Sequence, residues 1–94
     1  MKSPALVWDV WNRQHIKKHN VTEEETREAY KNEIGRSLSY ANRQAIYGIT
    51  KKDRFITIIV SFEKQNKPYV VSARDMSSKE RRTYYDKKLQ TKTN

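Results

Sequence analysis

The chain's 94 residues make one domain and leave little room for a second. Cysteine is absent, which excludes disulfides, thiolate metal sites and a cysteine nucleophile together. Twenty Lys and Arg against 11 Asp and Glu give a formal charge of +9, enough to attract a polyanion such as nucleic acid, an anionic membrane surface or an acidic protein.

Leu, Ile, Val and Phe make up only about a fifth of the chain, a share close to that of disordered sequences at this charge. They are gathered into periodic segments, however, so a folded, thin-cored domain is expected. Asp9 is placed to cap a first helix running to about His19. Trp11, His15, Ile16 and His19 recur at spacings of three and four and therefore share a helix face. Asn20 suits the left-handed residue that closes a helix. Thr22 and Glu25 form a capping box, and Glu23 and Glu24 favour the positive end of a second helix. That helix presents Thr26, Ala29 and Tyr30 inward and stops near Asn32 to Gly35.

The period then changes. Arg36 to Tyr40 predicts a weak strand and Arg43 to Thr50 a better one, with Gly48 inside it. Arg54 to Phe62 is an almost unbroken apolar run rich in β-branched residues, as in a central strand covered on both faces. Thr50–Asp53 and Lys64–Lys67 have the length and polarity of hairpin connections. Tyr69 to Ala73 predicts the fourth strand. Ser77 with Glu80 makes another capping box, opening a basic helix to about Leu89, with Lys87 and Lys88 near its negative end and a frayed tail after Gln90. The expected fold is α+β: two N-terminal helices, an antiparallel sheet of about four strands, and a C-terminal helix. Acidic residues crowd the second helix, while Arg74 to Asn94 holds seven Lys and Arg against three Asp and Glu, so the basic surface is expected away from that helix.

Two separated motifs look familiar. Trp8-Asp9-Val10-Trp11-Asn12, His15-Ile16, Lys18-His19 and Val21 resemble the opening of BrnT-family toxins. Ser72-Ala73-Arg74-Asp75-Met76, then Lys79-Glu80-Arg81-Arg82 and Tyr84, resemble their closing motif. Arg43 stands five residues before Gly48, as an Arg does in the second strand of that family. The resemblance spans roughly residues 5 to 87. It implies a RelE-like fold and a metal-independent endoribonuclease that needs no cofactor. It also implies a cognate antitoxin, typically a ribbon-helix-helix protein, with operator DNA contacted only through the toxin–antitoxin complex. The chain departs from the family pattern at Asn20 and in Lys51-Lys52-Asp53, where glycines are usual.

RNA cleavage without a metal requires a base for the 2′-hydroxyl, positive charge for the phosphorane and an acid for the leaving 5′-oxygen. Arg74 is the first candidate for the charge, because a guanidinium grips phosphate bidentately and a strand end is a stiff mount. The plainer alternative is a surface Arg paired with Asp75 or Glu80. Arg43, Arg54 and Arg82 are candidate contacts for flanking phosphates, or else ordinary solvated residues. Arg81 can share a helix face with Tyr84 or Tyr85. Tyr84 can donate a proton or stack on a base, or simply hold the last helix to the sheet. His15 and His19 titrate near neutrality and are acid–base candidates, with packing beside Trp11 as the default. Lys17 and Lys18 lie between them, which disfavours a dication. Lys18 serves as a base only where burial lowers its pKa, and otherwise as an RNA contact. Glu80 and Asp9 are read first as caps.

Two functional classes remain: a ribonuclease toxin, and a basic nucleic-acid-binding or antitoxin-binding module without catalysis. A membrane role is weak, since no stretch approaches a span and the last helix has Leu89 as its one aliphatic residue. The segment before Trp11 is too short for a signal peptide, so a cytoplasmic location is expected.

Overall fold

A computed structural model describes residues 5–63 and 66–86. Helix α1 spans Val10–Lys17 and opens on Asp9, whose carboxylate accepts from the Asn12 amide while the Asn12 side chain accepts from the Asp9 amide. Asn12 is wholly buried and has a second task. Its side-chain amide donates to the carbonyls of Val7 and Val70, at 2.9 and 3.0 Å, and so ties the helix to the edge of the sheet. The helix ends two residues short of His19, and its face is divided: Asn12 and Ile16 are buried, whereas Trp11 is exposed. Asn20 takes φ 57°, a conformation that Asn tolerates better than most residues. Thr22 then caps α2, Glu23–Lys31, through the expected box with Glu25. Thr26 and Ala29 are buried as the spacing indicates, and Tyr30 packs at the core margin.

Four strands follow: β1 Glu33–Leu38, β2 Gln44–Ile49, β3 Phe55–Ser61 and β4 Tyr69–Asp75. They form one antiparallel meander in the order β1-β2-β3-β4. The first strand begins three residues before the sequence places it. The reason is local: Asn32 closes α2 and its side-chain amide donates to the Ile49 carbonyl, so the chain enters the ladder at once. At its other end Tyr40–Asn42 is a 3₁₀ turn, with Ala41 and Asn42 both left-handed. Ala-Asn carries no glycine to announce such a turn, which is why the sequence extends the strand through Tyr40. Asp53 is likewise left-handed in the β2–β3 turn, closed by amide bonds from Thr50 to the Arg54 carbonyl and from Asp53 to the Thr50 carbonyl.

Strand β3 lies between β2 and β4, and Ile56 to Val60 are all buried. Its alternate residues serve two packing layers. Ile56, Ile58 and Val60 join Ile16, Val21, Ala29, Ile46, Val70 and Ala73 beneath α1 and α2. On the other face Ile59 joins Ala45, Tyr47 and Val71. Among the described residues only part of that second face is roofed. Ser77 caps α3, Ser78–Arg81, through the predicted box with Glu80, and the chain continues as a π-helical turn over Arg82–Asp86. This replaces a continuous helix through Asp86. The expectations for Lys64, Gln65, Lys87 to Leu89 and the tail lie outside the described residues.

The fold is therefore α+β, with α1 and α2 on one side of the sheet and α3 on the other. Arg54 locks one corner. Its fork takes Asp75 through Nε and Nη2, at 2.8 and 3.2 Å, and reaches Glu25 and the Asn20 carbonyl through Nη1. Among the described residues no helix is long and apolar enough to cross a membrane.

Candidate functional site

The strand register decides which side chains can act together. Tyr47, Thr57 and Arg74 are successive partners across β2, β3 and β4, so all three project from the face opposite α1 and α2. α2, with its acidic residues, lies behind the sheet. Glu23 there is engaged by Arg13 and Arg27.

Arg74 stands at the centre of this group. Its two terminal nitrogens meet the two carboxylate oxygens of Glu80 at 2.8 and 2.9 Å, and Nη1 also reaches the Asp75 carbonyl at 3.1 Å. Thr57, wholly buried, donates its hydroxyl to the same carboxylate at 3.0 Å, and the Ser77 amide does so at 2.9 Å. Glu80 is thus both a helix cap and the clamp that fixes the guanidinium plane. The Arg74 hydrogen bonds, aided by Ser77 and Thr57, hold its carboxyl down to about 2. Beside the pair, Tyr84 stacks on Tyr47 with ring centroids 4.0 Å apart. Burial pushes the Tyr47 phenol above its ordinary value, and its oxygen lies 3.0 Å from the Ser37 hydroxyl. Arg81 lies over the Phe55 ring at 4.2 Å, and the edge of Tyr85 meets the same ring.

The sequence candidates thus fall into separate groups. Arg74, Arg81 and Tyr84 belong to one patch. Arg43 shares their face but at its other end, four residues along β2 from Tyr47 or about 13 Å along the strands, with its guanidinium over Tyr40 at 5.0 Å. His15 and His19 form a ladder with Trp11 on α1: Trp11 and His15 are stacked at 4.8 Å, and His15 meets His19 edge-on at 6.1 Å. Partial burial, and then the charges of Lys18 and His19, lower the His15 pKa, so at neutral pH the ring is uncharged and able to accept a proton. Lys18 is exposed, so the burial that a base role requires is missing. Arg82 is exposed on the π-helical turn. Arg54 lies at the corner beside α2, paired with Asp75 and Glu25, away from the Arg74 patch's Glu80. Among the described residues no three His, Asp or Glu converge as a cation site would require.

Sequence reasoning missed Thr57 and Tyr47 as members of the Arg74 patch, because only the cross-strand register reveals them. It also missed a cavity of about 220 Å³ at the Arg43 end, lined by Trp11, Arg43, Ser61, Glu63, Tyr69 and Val71. A signal for the cavity existed in the small and polar residues closing β3, yet nothing in the sequence places Trp11 across from them.

The Glu80 clamp has a measurable consequence. A carboxyl lowered on folding stabilises the native state above its unfolded value and loses that contribution as pH falls through its folded value. Asp75, lowered chiefly by Arg54, and Glu25, lowered chiefly by the Thr22 amide, act in the same direction. Urea unfolding is expected to show stability falling between about pH 5 and pH 2, with on the order of 2–3 kcal/mol from Glu80 alone. Glu80→Gln should be weaker at pH 7 and show a shallower acid slope. An unchanged slope would remove the clamp from the account.

Compared with protein families, curated proteins and solved structures, the chain matches none of them.

Proposed function

We propose that this chain is the toxin of a type II toxin–antitoxin pair, a RelE-like, metal-independent endoribonuclease of the BrnT kind acting in the cytoplasm. The single observation that carries the reading is the mount of Arg74. A guanidinium near the end of β4, its plane set by a bidentate carboxylate that a buried threonine and a helix-capping amide also hold, is fixed in one direction. Such a group stabilises charge developing on a phosphorane without reorganising during the reaction. The formal charge of +9 and the half-buried ring of Tyr84 on the same face suit single-stranded RNA, whose bases stack while its phosphates seek cations.

In this reading Arg74 meets the scissile phosphate and Arg43 a neighbouring one, with Arg81 and Arg82 adding positive potential. Tyr84, stacked on Tyr47 beside the Arg74–Glu80 pair, is the proton donor in this reading. His15 and His19 stand in their own row on α1, apart from Arg74, so in this reading they do not act on the phosphodiester that Arg74 holds. The antitoxin, of ribbon-helix-helix type, covers the face and carries the complex to operator DNA.

One observation favours a second reading, a basic RNA-binding or antitoxin-binding module without catalysis: the Arg74 fork is already filled by Glu80. The two separate in one assay. The purified protein is expected to cleave RNA in excess EDTA and to arrest growth when induced. RNA bound with steep salt dependence but left intact over hours establishes the second reading instead. Cleavage that stops with chelator overturns the metal-free mechanism.

A further inference from the structure

The sheet face has an end that the cleavage chemistry does not use. Beyond Ala45, Ile59 and Val71 the floor runs into the cavity beneath Trp11, where Tyr69, Ser61 and Arg43 supply the walls and Glu63 stands at the rim. Three features set it apart from an ordinary surface dimple. Trp11 is 55 % exposed although it is one of two tryptophans in a chain short of apolar residues, so its area serves little in the core. One side of its indole is backed by His15, which steadies the ring. Tyr69 is fixed by its hydroxyl, which donates to the Asp9 carboxylate at 2.9 Å, so the aromatic wall is held by the same residue that caps α1.

We infer that this cavity is a base-binding subsite for single-stranded RNA, and that Glu63 makes it select guanine. The inference rests on the RNA reading above and goes beyond it in naming a subsite and its specificity. Trp11 and Tyr69 offer stacking surfaces, and Val71 an apolar floor. Arg43, at the mouth, suits the phosphate joining this nucleotide to the next. Glu63 is out of place on a surface meant only for polyanions, because its charge opposes the backbone. A base whose edge returns that cost explains it. The Watson–Crick edge of guanine presents two adjacent donors, N1–H and the N2 amino group, which match the two oxygens of a carboxylate. Adenine and cytosine each present an amino donor beside a ring-nitrogen acceptor, and uracil one donor between two carbonyls. Those acceptors face a negative oxygen and are repelled. A second cavity, lined by Glu24, Arg27, Glu28, Lys31 and Lys51, mixes charges on the α2 side and offers no ring.

The test is binding of short, fluorescein-labelled 2′-O-methyl oligouridylates, which lack the nucleophile and stay intact, with the central base changed to guanine, adenine or cytosine. At fixed salt the guanine oligomer should bind about tenfold more tightly than the adenine one. Glu63→Gln should erase most of that preference and at the same time tighten the all-uridine oligomer, because a like charge has gone. Trp11→Ala should weaken every oligomer roughly tenfold, the worth of one stacked base, and Trp11→Phe should restore most of it. Both positions are solvent-exposed, so the variants are expected to unfold close to the parent midpoint. Equal affinity for all four bases, with salt-sensitive binding intact, overturns the subsite alone, as does guanine preference surviving Glu63→Gln. Absence of any binding overturns the RNA reading together with it.

Discussion

Arg74→Lys is expected to fold almost as well as the parent and to lose most of its ribonuclease activity. The lysine keeps the positive charge and one contact to Glu80. It loses the planar fork that holds both carboxylate oxygens at 2.8 and 2.9 Å, and with it the fixed direction in which charge is offered to a phosphate. Removing one oriented donor from a preorganised site lowers turnover by about 10²–10³-fold, and a flexible ammonium recovers little of that. Arg74→Ala should be inactive to a similar degree but also less stable, by roughly 1–3 kcal/mol, because Glu80 keeps only Thr57 and the Ser77 amide for its charge. The comparison separates the two roles of the residue. Unfolding by urea reads the structural one, cleavage under saturating RNA the chemical one, and only the alanine should move both. Either variant cleaving at the parental rate would place the reactive centre elsewhere, with the His15 row on α1 as the next place to look.

That comparison is informative because the sequence and the structure divide the information about Arg74 between them. The sequence placed it at the end of a strand and named Glu80 as a rival partner, and it recognised the Ser77–Glu80 capping box. What it could not supply was the coincidence of the two: the glutamate that caps α3 is the one that clamps the arginine. Capping is a local device, read from a spacing of three residues. The clamp depends on the pairing of Thr57 with Arg74, two residues seventeen apart in the chain, and register has no local signature beyond the alternation of buried positions. The same limit explains Trp11. Helical spacing groups it with Ile16, and an apolar residue at such a position is ordinarily buried. Here the wholly buried place on α1 goes to Asn12, whose amide ties Val7 to Val70, and a polar residue holding two backbone carbonyls is invisible to a hydrophobic pattern. One turn, at Tyr40–Asn42, escaped for a third reason. Asn20 and Asp53 adopt left-handed backbone that their residue types tolerate, whereas Ala41 does so without any such preference and could not be foreseen.

Gly48→Ala is expected to be the most damaging single methyl that can be added to the described part of the chain. No glycine here has a positive φ, so Gly48 is not needed for backbone freedom. It is needed for space. A β-carbon built on it would lie 1.8 Å from the carbonyl oxygen of Ala29, 2.5 Å from its carbonyl carbon and 2.9 Å from its α-carbon. All three obstacles are backbone atoms of α2, so no side chain can rotate out of the way. Relief requires the whole helix to lift off β2, stripping contacts from Ile46, Ile56 and Val21 beneath it. Overpacking of this kind costs on the order of 3 kcal/mol or more, out of a total near 5–14 kcal/mol for a domain of this size. The expected fall in melting temperature is then roughly 12–24 °C. Gly35 provides the contrast. Its added methyl would meet only the Tyr84 ring, at 2.6 Å, and that ring sits on a π-helical turn where it can swing aside. Gly35→Ala should therefore cost about 1 kcal/mol while displacing Tyr84 from Tyr47, and so should disturb RNA binding more than folding. Calorimetry on the two variants decides the matter: if they melt together, the close seat of α2 on Gly48 is not what holds the helical layer to the sheet.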